Sequence, residues 1–261
     1  MKDITVIKIG GSTLGSRDTT IEDIISLQKK GNLLVIVHGG GSTVTDWLKL
    51  HGVETEFVHG ERVTDLSTLE VATAVLAGLV NKEIVALINC GGGQAVGISG
   101  VDGTLIESKM KNQEMGYVGE VVKVNTALLE TLLKAGYIPV VSPISLYSVD
   151  RLGDASPVIN INADPVAGYL AEALVAKRLV FLTDVAGITD ASGAVVSRLS
   201  ADEAETLITS GVISGGMIPK IKACLRALSV NTVTRIIDGR KSHILVKELE
   251  GQGSGTTIYR E

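Results

Sequence analysis

The chain has 261 residues, 45% of them hydrophobic, so it can bury one large α/β core or two closely joined lobes. Its net charge of −5, from 24 Lys and Arg against 29 Asp and Glu, argues against nucleic acid or an anionic membrane as a partner. The longest run without charged residues, 84–101, holds five glycines and several polar side chains, so it does not read as a membrane span.

Alternating strand and helix patterns follow along the whole chain. Apolar, β-branched runs predict buried strands at 5–9, 33–37, 95–98, 138–141, 179–182 and 232–237. Helical spacing predicts helices at 20–30, 42–50, 67–88, 126–135, 164–176, 201–209 and 217–228. This order predicts an α/β fold, an open, mainly parallel central sheet sandwiched by helices. The glycine-rich stretch 91–123 instead predicts hairpins.

Two helix starts carry recognisable capping residues. Thr126 is a predicted N-cap for a helix that closes at Gly136, and Ser200 with Glu203 three positions later reads as a capping box. No linker or repeat divides the chain. We therefore expect any boundary inside the α/β pattern, near residue 173, giving an N-terminal lobe (1–172) and a C-terminal lobe (173–261).

The cysteines and the first residues indicate a reducing compartment. Cys90 and Cys224 are far apart and have no metal-ligand spacing, which predicts buried free thiols. The chain enters its first strand without a basic region, an apolar segment or a cleavage site. We expect a cytoplasmic protein.

Glycine is over-represented: 30 of the 261 residues are glycine, about 11%, against an average of ~7%. Gly10-Gly11 follows the first predicted strand, and Gly39-Gly40-Gly41 follows the second. In a parallel sheet both turns lie at the carboxyl edge, where backbone N–H groups can bind an anion; the alternative is a tight turn without a ligand. The P-loop, the dinucleotide fingerprint, the G-x-S-x-G elbow and the protein-kinase motifs are all absent.

Four charged residues stand out by their position. Lys8 lies inside an apolar strand, and Lys220 lies near a helix start, where cations are disfavoured. Asp164 precedes Pro165 at a helix start, and Arg62 offers a planar fork for a carboxylate. Each has a plainer reading: a lysine reaching solvent, an ordinary N-cap, or an isolated surface arginine.

Further polar groups lie in loops. Asn160 and Asn162 alternate in an extended segment and are predicted to point to one side, toward whatever the following helix start faces. Asp184 follows a strand end in a third loop, 183–188, which suits a nucleotide. The four histidines, His38, His51, His59 and His243, show no ligand spacing, and we assign none of them to catalysis.

Taken together, these segments resemble the amino acid kinase family. The matching motifs are KIGGS at 8–12, VHGGG at 37–41, GERVTD at 60–65, VGISGVDG at 96–103, GYVG at 116–119, YIPVV at 137–141, NINAD at 160–164, LTDVAGI at 182–188 and GGMIPK at 215–220. They cover essentially the whole chain in order. The resemblance implies a kinase of bacterial arginine biosynthesis that transfers the γ-phosphoryl group of ATP to the side-chain carboxylate of N-acetyl-L-glutamate.

The resemblance also implies roles for individual residues. Lys8 and Lys220 would neutralise charge on the transferring phosphoryl group, and Asp164 would orient both lysines. The remaining implied roles are phosphate donors (Gly10, Gly11, Gly40), substrate donors (Gly40, Gly41), substrate clamps (Arg62, Asn160) and nucleotide contacts from one loop (Asp184, Gly187) and from a second segment (Val212, Ser214). It further implies a hairpin lid over the substrate, a homodimer, and Mg²⁺ held mainly by the nucleotide phosphates rather than by protein ligands.

Two departures and two rivals qualify this resemblance. Arginine-inhibited relatives carry an extra N-terminal helix, whereas the pattern here begins with the first strand, so we expect an enzyme insensitive to arginine. The second departure is Glu61, which stands where the family pattern commonly has an apolar residue. One rival is a kinase for aminoadipate or glutamate held on a carrier protein, which favours a basic surface. The other is a non-catalytic amino-acid sensor, which would be expected to lose Lys8, Asp164 or Lys220.

Overall fold

The computed structural model describes residues 3–10, 19–58, 61–190 and 192–260. Gly11, one of the predicted phosphate donors, and His59 lie outside the described residues.

Strands and helices alternate through the described chain. The strands are β1 (Ile4–Ile9), β2 (Leu33–His38), β3 (Phe57–Val58), β4 (Glu61–Arg62), β5 (Ala95–Ser99), β6 (Ile106–Met110), β7 (Gly119–Val124), β8 (Ile138–Ser142), β9 (Ile144–Tyr147), β10 (Val158–Asn160), β11 (Arg178–Thr183), β12 (Arg198–Ser200), β13 (Val233–Asp238) and β14 (Thr256–Tyr259). The helices are α1 (Thr20–Lys29), α2 (Gly41–Leu50), α3 (Leu66–Thr73), α4 (Asn81–Cys90), α5 (Ala127–Lys134), α6 (Ala163–Ala173), α7 (Ala201–Thr209), α8 (Met217–Ala227) and α9 (Ile244–Leu249).

A mainly parallel sheet of eight strands forms the centre of the molecule. Its order is β12-β14-β13-β11-β1-β2-β8-β5, and every neighbouring pair is parallel except β13 with β14. This confirms the predicted fold class, and each of the six predicted strands and seven predicted helices is present with small shifts at its ends. A four-stranded sheet, β10-β9-β6-β7, and the β3–β4 hairpin lie outside the central sheet.

Two apolar cores cover the two faces of the central sheet. Side chains alternate along β1, so that Val6 faces one core and Ile7 the other. The first core packs helices α5 to α8 against the sheet, and the second packs α1 to α4 and α9. Burial on both faces explains why the strands are continuously apolar, and it makes the buried Lys8 an exception that needs a partner.

Several local predictions were wrong in detail. Only part of 91–123 is a hairpin (β6–β7), because β5 joins the central parallel sheet beside β8. The Thr126 side chain does not cap α5; its hydroxyl donates to Glu130, and Asn125 accepts from the Ala127 N–H instead. Cys90 is exposed because it ends α4, whereas Cys224 is buried as predicted; both thiols are free.

A long helix crosses one face of the sheet. This helix consists of α3, a π-helical segment of seven residues (Ala74–Val80) and α4. The continuous run Leu66–Cys90 is long and apolar enough to cross a membrane by length and composition, a test that core helices also pass. One side packs into the second core, while Leu79 and Leu87 remain exposed. The described chain therefore leaves part of this apolar helix surface uncovered.

Candidate active site

Three charged side chains from three elements meet at the carboxyl edge of the sheet. Lys8 extends from β1, Asp164 lies in the first turn of α6, and Lys220 lies in the first turn of α8. The Lys8 Nζ atom lies 2.8 Å from Asp164 Oδ1, and the Lys220 Nζ atom donates to Asp164 Oδ2 at 2.8 Å. One carboxylate thus holds two ammonium groups side by side.

The Asp164 carboxylate is available for this because a neighbour caps its helix. Asn162 is the N-cap of α6, and its side-chain oxygen accepts from the Asp164 N–H at 3.0 Å. Asp164 is thus not the cap, and Pro165 is the third helical residue rather than the first. Burial would raise the pKa of Asp164, but the charges and hydrogen bonds of Lys8 and Lys220 outweigh it and lower that pKa below its ordinary value.

Close packing of two helices brings Lys220 within reach of Asp164. Gly168 of α6 faces Ala223 of α8, and a Cβ atom on Gly168 would come within 2.8 Å of the Ala223 Cα. A larger residue at position 168 would force the helices apart. The missing side chain therefore sets the spacing at which one turn of α8 can contact one turn of α6.

A cavity of about 250 Å³ opens beside Lys8. Its lining includes five residues predicted to act at the site, Lys8, Gly40, Gly41, Arg62 and Asn160. The rest of the wall is largely apolar, and its members are Val44, Phe57, Ala72, Leu76, Val118, Pro143, Ile161 and Ala163, together with Gly39, Glu61 and Asn162. The cavity therefore combines the cations Lys8 and Arg62 with a largely apolar wall.

Two helix starts add to the positive potential of the cavity. Gly40 and Asn162, the N-caps of α2 and α6, both line it, so the positive ends of both helix dipoles face it. Asn160 lines it as well, as the alternation of the two asparagines predicted. In a protein of net charge −5, this concentration of positive potential indicates an anionic ligand.

Arg62 is held in a position from which it can bind an anion. Its Nη2 atom donates to the Gly41 carbonyl at 2.9 Å and to Thr45 Oγ1 at 2.7 Å, and its guanidinium carbon lies 4.6 Å from the centre of the Phe57 ring. The Nη1 atom is buried and finds no hydrogen-bond partner among the described residues. Burial lowers the pKa of Arg62, but from so high an ordinary value that the side chain stays a cation, with both N–H groups of Nη1 available as donors.

Glu61, the departure from the family pattern, is paired away from Arg62. Its carboxylate accepts from Lys111 at 2.5 Å, which links the β3–β4 hairpin to the loop after β6. Backbone bonds reinforce this link, since the Tyr117 N–H donates to the Thr64 carbonyl at 2.7 Å. The acidic group is thus neutralised locally.

Among the described residues predicted to bind the nucleotide, Gly10, Asp184, Gly187, Val212 and Ser214 do not line this cavity. Gly10 follows β1, and its N–H donates to the Leu182 carbonyl of β11 at 3.2 Å, so it lies where the two strands end. Asp184 and Gly187 follow β11 at the same edge of the sheet. Val212 and Ser214 are exposed in the loop that leads into α8 and Lys220.

Sequence reasoning did not assign several residues of this site. Thr45 bonds Arg62 from 17 positions away and Lys111 pairs with Glu61 from 50 positions away, so no local pattern marks either residue. Phe57 lines the cavity and packs on Arg62 across the β3–β4 pair. Asn162 had a usable signal, because an asparagine directly before a helix is a preferred N-cap. No group of three or more His, Cys, Asp or Glu placed to bind a metal occurs in the part of the chain that the structure describes.

Comparison with known proteins supplies the family context. The model of the amino acid kinase family matches residues 3–238. A Dehalococcoides mccartyi (strain CBDB1) protein named acetylglutamate kinase is 50% identical over 255 residues, covering 98% of this chain and 94% of that protein. One of the same name from Caldanaerobacter subterraneus subsp. tengcongensis is 44% identical over 267 residues, covering 98% and 87%. The solved Streptococcus mutans UA159 protein smu.665 superposes with a TM-score of 0.83 at 27% identity, with 99% of each chain covered.

Proposed function

Because the chain belongs to the amino acid kinase family, we propose that it transfers the γ-phosphoryl group of ATP to the side-chain carboxylate of N-acetyl-L-glutamate, in arginine biosynthesis. The observation that carries this proposal is the cluster in which Lys8 and Lys220 both pair with Asp164. This cluster lies beside a cavity whose wall also contains the cation Arg62. Relatives named for this activity that match nearly the whole chain support the choice of acceptor.

The chemistry requires positioning and cations rather than a general base. The acceptor carboxylate, with an ordinary pKa of ~4.3, is already ionised at neutral pH. Negative charge in the transition state spreads over the transferring phosphoryl group, so groups placed around it lower the barrier. In our proposal Lys8 and Lys220 supply that charge, and Asp164 fixes both ammonium groups without bonding the substrate. The proposed mechanism therefore does not require a catalytic histidine.

The lining of the cavity is complementary to an acylated acidic amino acid. Arg62 offers its spare Nη1 donor to a carboxylate, and Asn160 and the Gly41 backbone offer neutral hydrogen bonds. Apolar side chains such as Leu76 and Val118 suit the methylene groups and the acetyl methyl. The β3–β4 hairpin, which carries Arg62, is the proposed lid.

We place the nucleotide on the other side of the lysine pair. We propose that Gly10, Asp184, Gly187 and the loop with Val212 and Ser214 contact ATP on that side, with Gly40 shared between phosphates and substrate. ATP enters as its Mg²⁺ complex, with the ion held mainly by the phosphates, as is usual for Mg²⁺. In support, both oxygens of Asp164 are already engaged by lysines.

The same division suggests two lobes, 1–172 for substrate and dimerisation and 173–261 for nucleotide. The boundary falls at the end of α6, whose first turn carries Asp164. We further propose a homodimer in the cytoplasm. The exposed apolar side chains of the long helix, Leu79 and Leu87, support self-association through this face, because uncovered apolar surface of this kind marks interfaces.

An ADP-release assay across acceptors tests the reaction. The panel comprises N-acetylglutamate, glutamate, aspartate, carbamate and carrier-linked aminoadipate, with an acceptor-free control. We expect turnover with N-acetylglutamate well above the others. Turnover with only the carrier-linked acceptor would support the first rival, and binding without any turnover would support a sensor. A matched Arg62→Gln variant should raise KM for the acceptor while leaving KM for ATP nearly unchanged.

A further inference from the structure

A buried polar pair, His38 and Asn81, lies under the glycine turn that lines the cavity. His38 ends β2, immediately before Gly39, and Asn81 is the first residue of α4, just after the π-helical segment. Both residues are fully buried, and neither lines the cavity. A buried polar group is costly unless it is hydrogen-bonded, so the partners of these two side chains are informative.

Their hydrogen bonds fix the tautomer of the histidine. Asn81 Nδ2 lies 2.9 Å from the Val140 carbonyl and 3.1 Å from His38 Nε2, and Asn81 Oδ1 accepts from Lys82 Nζ at 3.0 Å. An amide nitrogen only donates, so His38 Nε2 is an acceptor and the ring proton is on Nδ1. His38 Nδ1 therefore donates to the Gly39 carbonyl, 2.8 Å away.

This bond determines the direction of the next N–H group. The described chain contains no cis peptide, so the Gly39–Gly40 peptide is trans, and its C=O and N–H point in opposite directions. With the Gly39 carbonyl turned toward the ring, the Gly40 N–H points away from it. The ring belongs to the face of the sheet opposite to Lys8, since Ile36 of β2 lies in the second core. The Gly40 N–H is thus aimed toward the side of Lys8.

We propose that His38 and Asn81 are positioning residues for phosphoryl transfer: they hold the Gly39 carbonyl back so that the Gly40 N–H donates to the phosphoryl oxygens. This rests on the proposed function and deepens it. The π-helical segment contributes, because Gly40 has a φ of 147° and packs on Leu76 and Val80, leaving no room for a side chain. Burial, with a smaller contribution from the nearby cations Lys8 and Lys82, lowers the pKa of His38 to about 4, so the ring stays neutral at physiological pH.

Gly97 completes this arrangement from the neighbouring strand. A Cβ atom at Gly97 would fall 2.0 Å from Asn81 Oδ1 and 2.8 Å from Lys82 Nζ. The absence of a side chain at position 97 therefore admits the amide that faces His38. It also gives an independent way to displace Asn81 without changing either polar residue.

Three substitutions at position 38 distinguish the loss of the Nδ1 hydrogen bond from the loss of side-chain volume. Asparagine can place an amide nitrogen near the position of Nδ1 and keep the bond to Gly39, glutamine reaches past it toward Asn81, and leucine makes neither bond. We expect His38→Leu and His38→Gln to lower kcat by about 10²-fold, the lower end of what one preorganised donor contributes. His38→Asn should restore most of the loss, and Gly97→Ala should lower kcat without a matching change in KM.

Equal loss in His38→Asn and His38→Leu, or unchanged kcat in His38→Leu, would overturn the proposal. Melting temperatures, with Thr234→Val as a control that removes a buried hydrogen bond to the Ile258 carbonyl, separate lost stability from lost activity. We expect that control to melt earlier but keep its kcat.

A readout without turnover keeps this inference separate from the choice of acceptor. With ¹⁵N-glycine label, ATP should shift the Gly40 amide resonance in the wild-type protein and in His38→Asn but not in His38→Leu. The same shift in all three would reject the role of His38 even if N-acetylglutamate were the acceptor. Failure of N-acetylglutamate in the assay would reject the acceptor while leaving this comparison decisive.

Discussion

Asp164 shows how a single buried carboxylate can arrange two cations. Alone in that environment its charge would be unfavourable, and the buried Lys8 alone would face a similar penalty. Together the three groups carry one net positive charge, with both ammonium groups fixed at 2.8 Å. The cluster is thus ready to receive an anion without further ordering of its side chains, which is the condition for electrostatic catalysis.

Removal of Lys8 should affect the rate rather than the affinity. Lys8→Met keeps much of the side-chain volume but removes charge next to the transferring group, so we expect kcat to fall by about 10²- to 10³-fold, or ~2.7–4 kcal/mol, with a small change in KM. Steady-state kinetics with both substrates measures this. Lys30→Met is the matched control, because Lys30 forms an exposed ion pair with Glu250. Unchanged kcat in Lys8→Met, or equal losses in both variants, would contradict the proposed role.

At the scale of elements, the N-termini of the helices differ in their capping residues and in whether they face the cavity. The N-termini of α2 and α6 face the cavity, and their caps are Gly40 and Asn162 rather than charged residues. The start of α7 is different, because Ser200 and Glu203 form a full capping box at the end of a short edge strand. Thr126 at the start of α5 has a similar sequence signal but makes no such bond.

Two alanine substitutions should therefore differ. Ser200→Ala removes the side-chain acceptor of the Glu203 N–H, so we expect a loss of about 1 kcal/mol in the free energy of unfolding. Thr126→Ala should cost clearly less, because its hydroxyl bonds Glu130 rather than a backbone N–H. Urea denaturation of both variants under one set of conditions measures the difference. Equal midpoints for the two variants would contradict a larger contribution from the capping box.

At the scale of the whole molecule, the central sheet joins the two proposed lobes. β1 pairs with β2 on one side and with β11 on the other, so the strand that carries Lys8 belongs to both halves of the sheet. Chain connections leave β1 and β11 in opposite directions, and ligands bind in open α/β sheets at such a point. The proposed phosphoryl-transfer path crosses the sheet edge there.

The exposed apolar surface of the long helix predicts a homodimer that forms through this face. We expect light scattering to give the mass of two chains for the wild-type protein. Leu87→Glu and Leu79→Glu place a charge in the proposed interface and should give single chains, since an unpaired buried charge is costly. Leu152→Glu, at a loop residue that is 81% exposed, is the control and should leave the mass unchanged. A wild-type protein of single-chain mass would rule out this interface.

The sequence by itself determined the class of fold, the core strands and helices, and the list of residues to consider. Periodicity is a local property, and burial on both faces leaves a continuous apolar pattern at each central strand. The turn at Gly39 to Gly41 was also readable, because Gly40 has a φ of 147° and no room for a side chain, a local requirement that only glycine meets. A short edge strand such as β12, with three residues, and the last helix, α9, with six, escaped notice because segments this short show no clear period.

Only the tertiary structure decided which of these residues meet. Lys220 and Asp164 are 56 positions apart, and their contact depends on strand order and on the close approach of α6 and α8. The same holds for His38 and Asn81, which the π-helical segment and Gly97 bring together beneath the glycine turn. Side-chain hydrogen bonds between distant segments leave no periodic trace in a single sequence, so three-dimensional packing alone selects them.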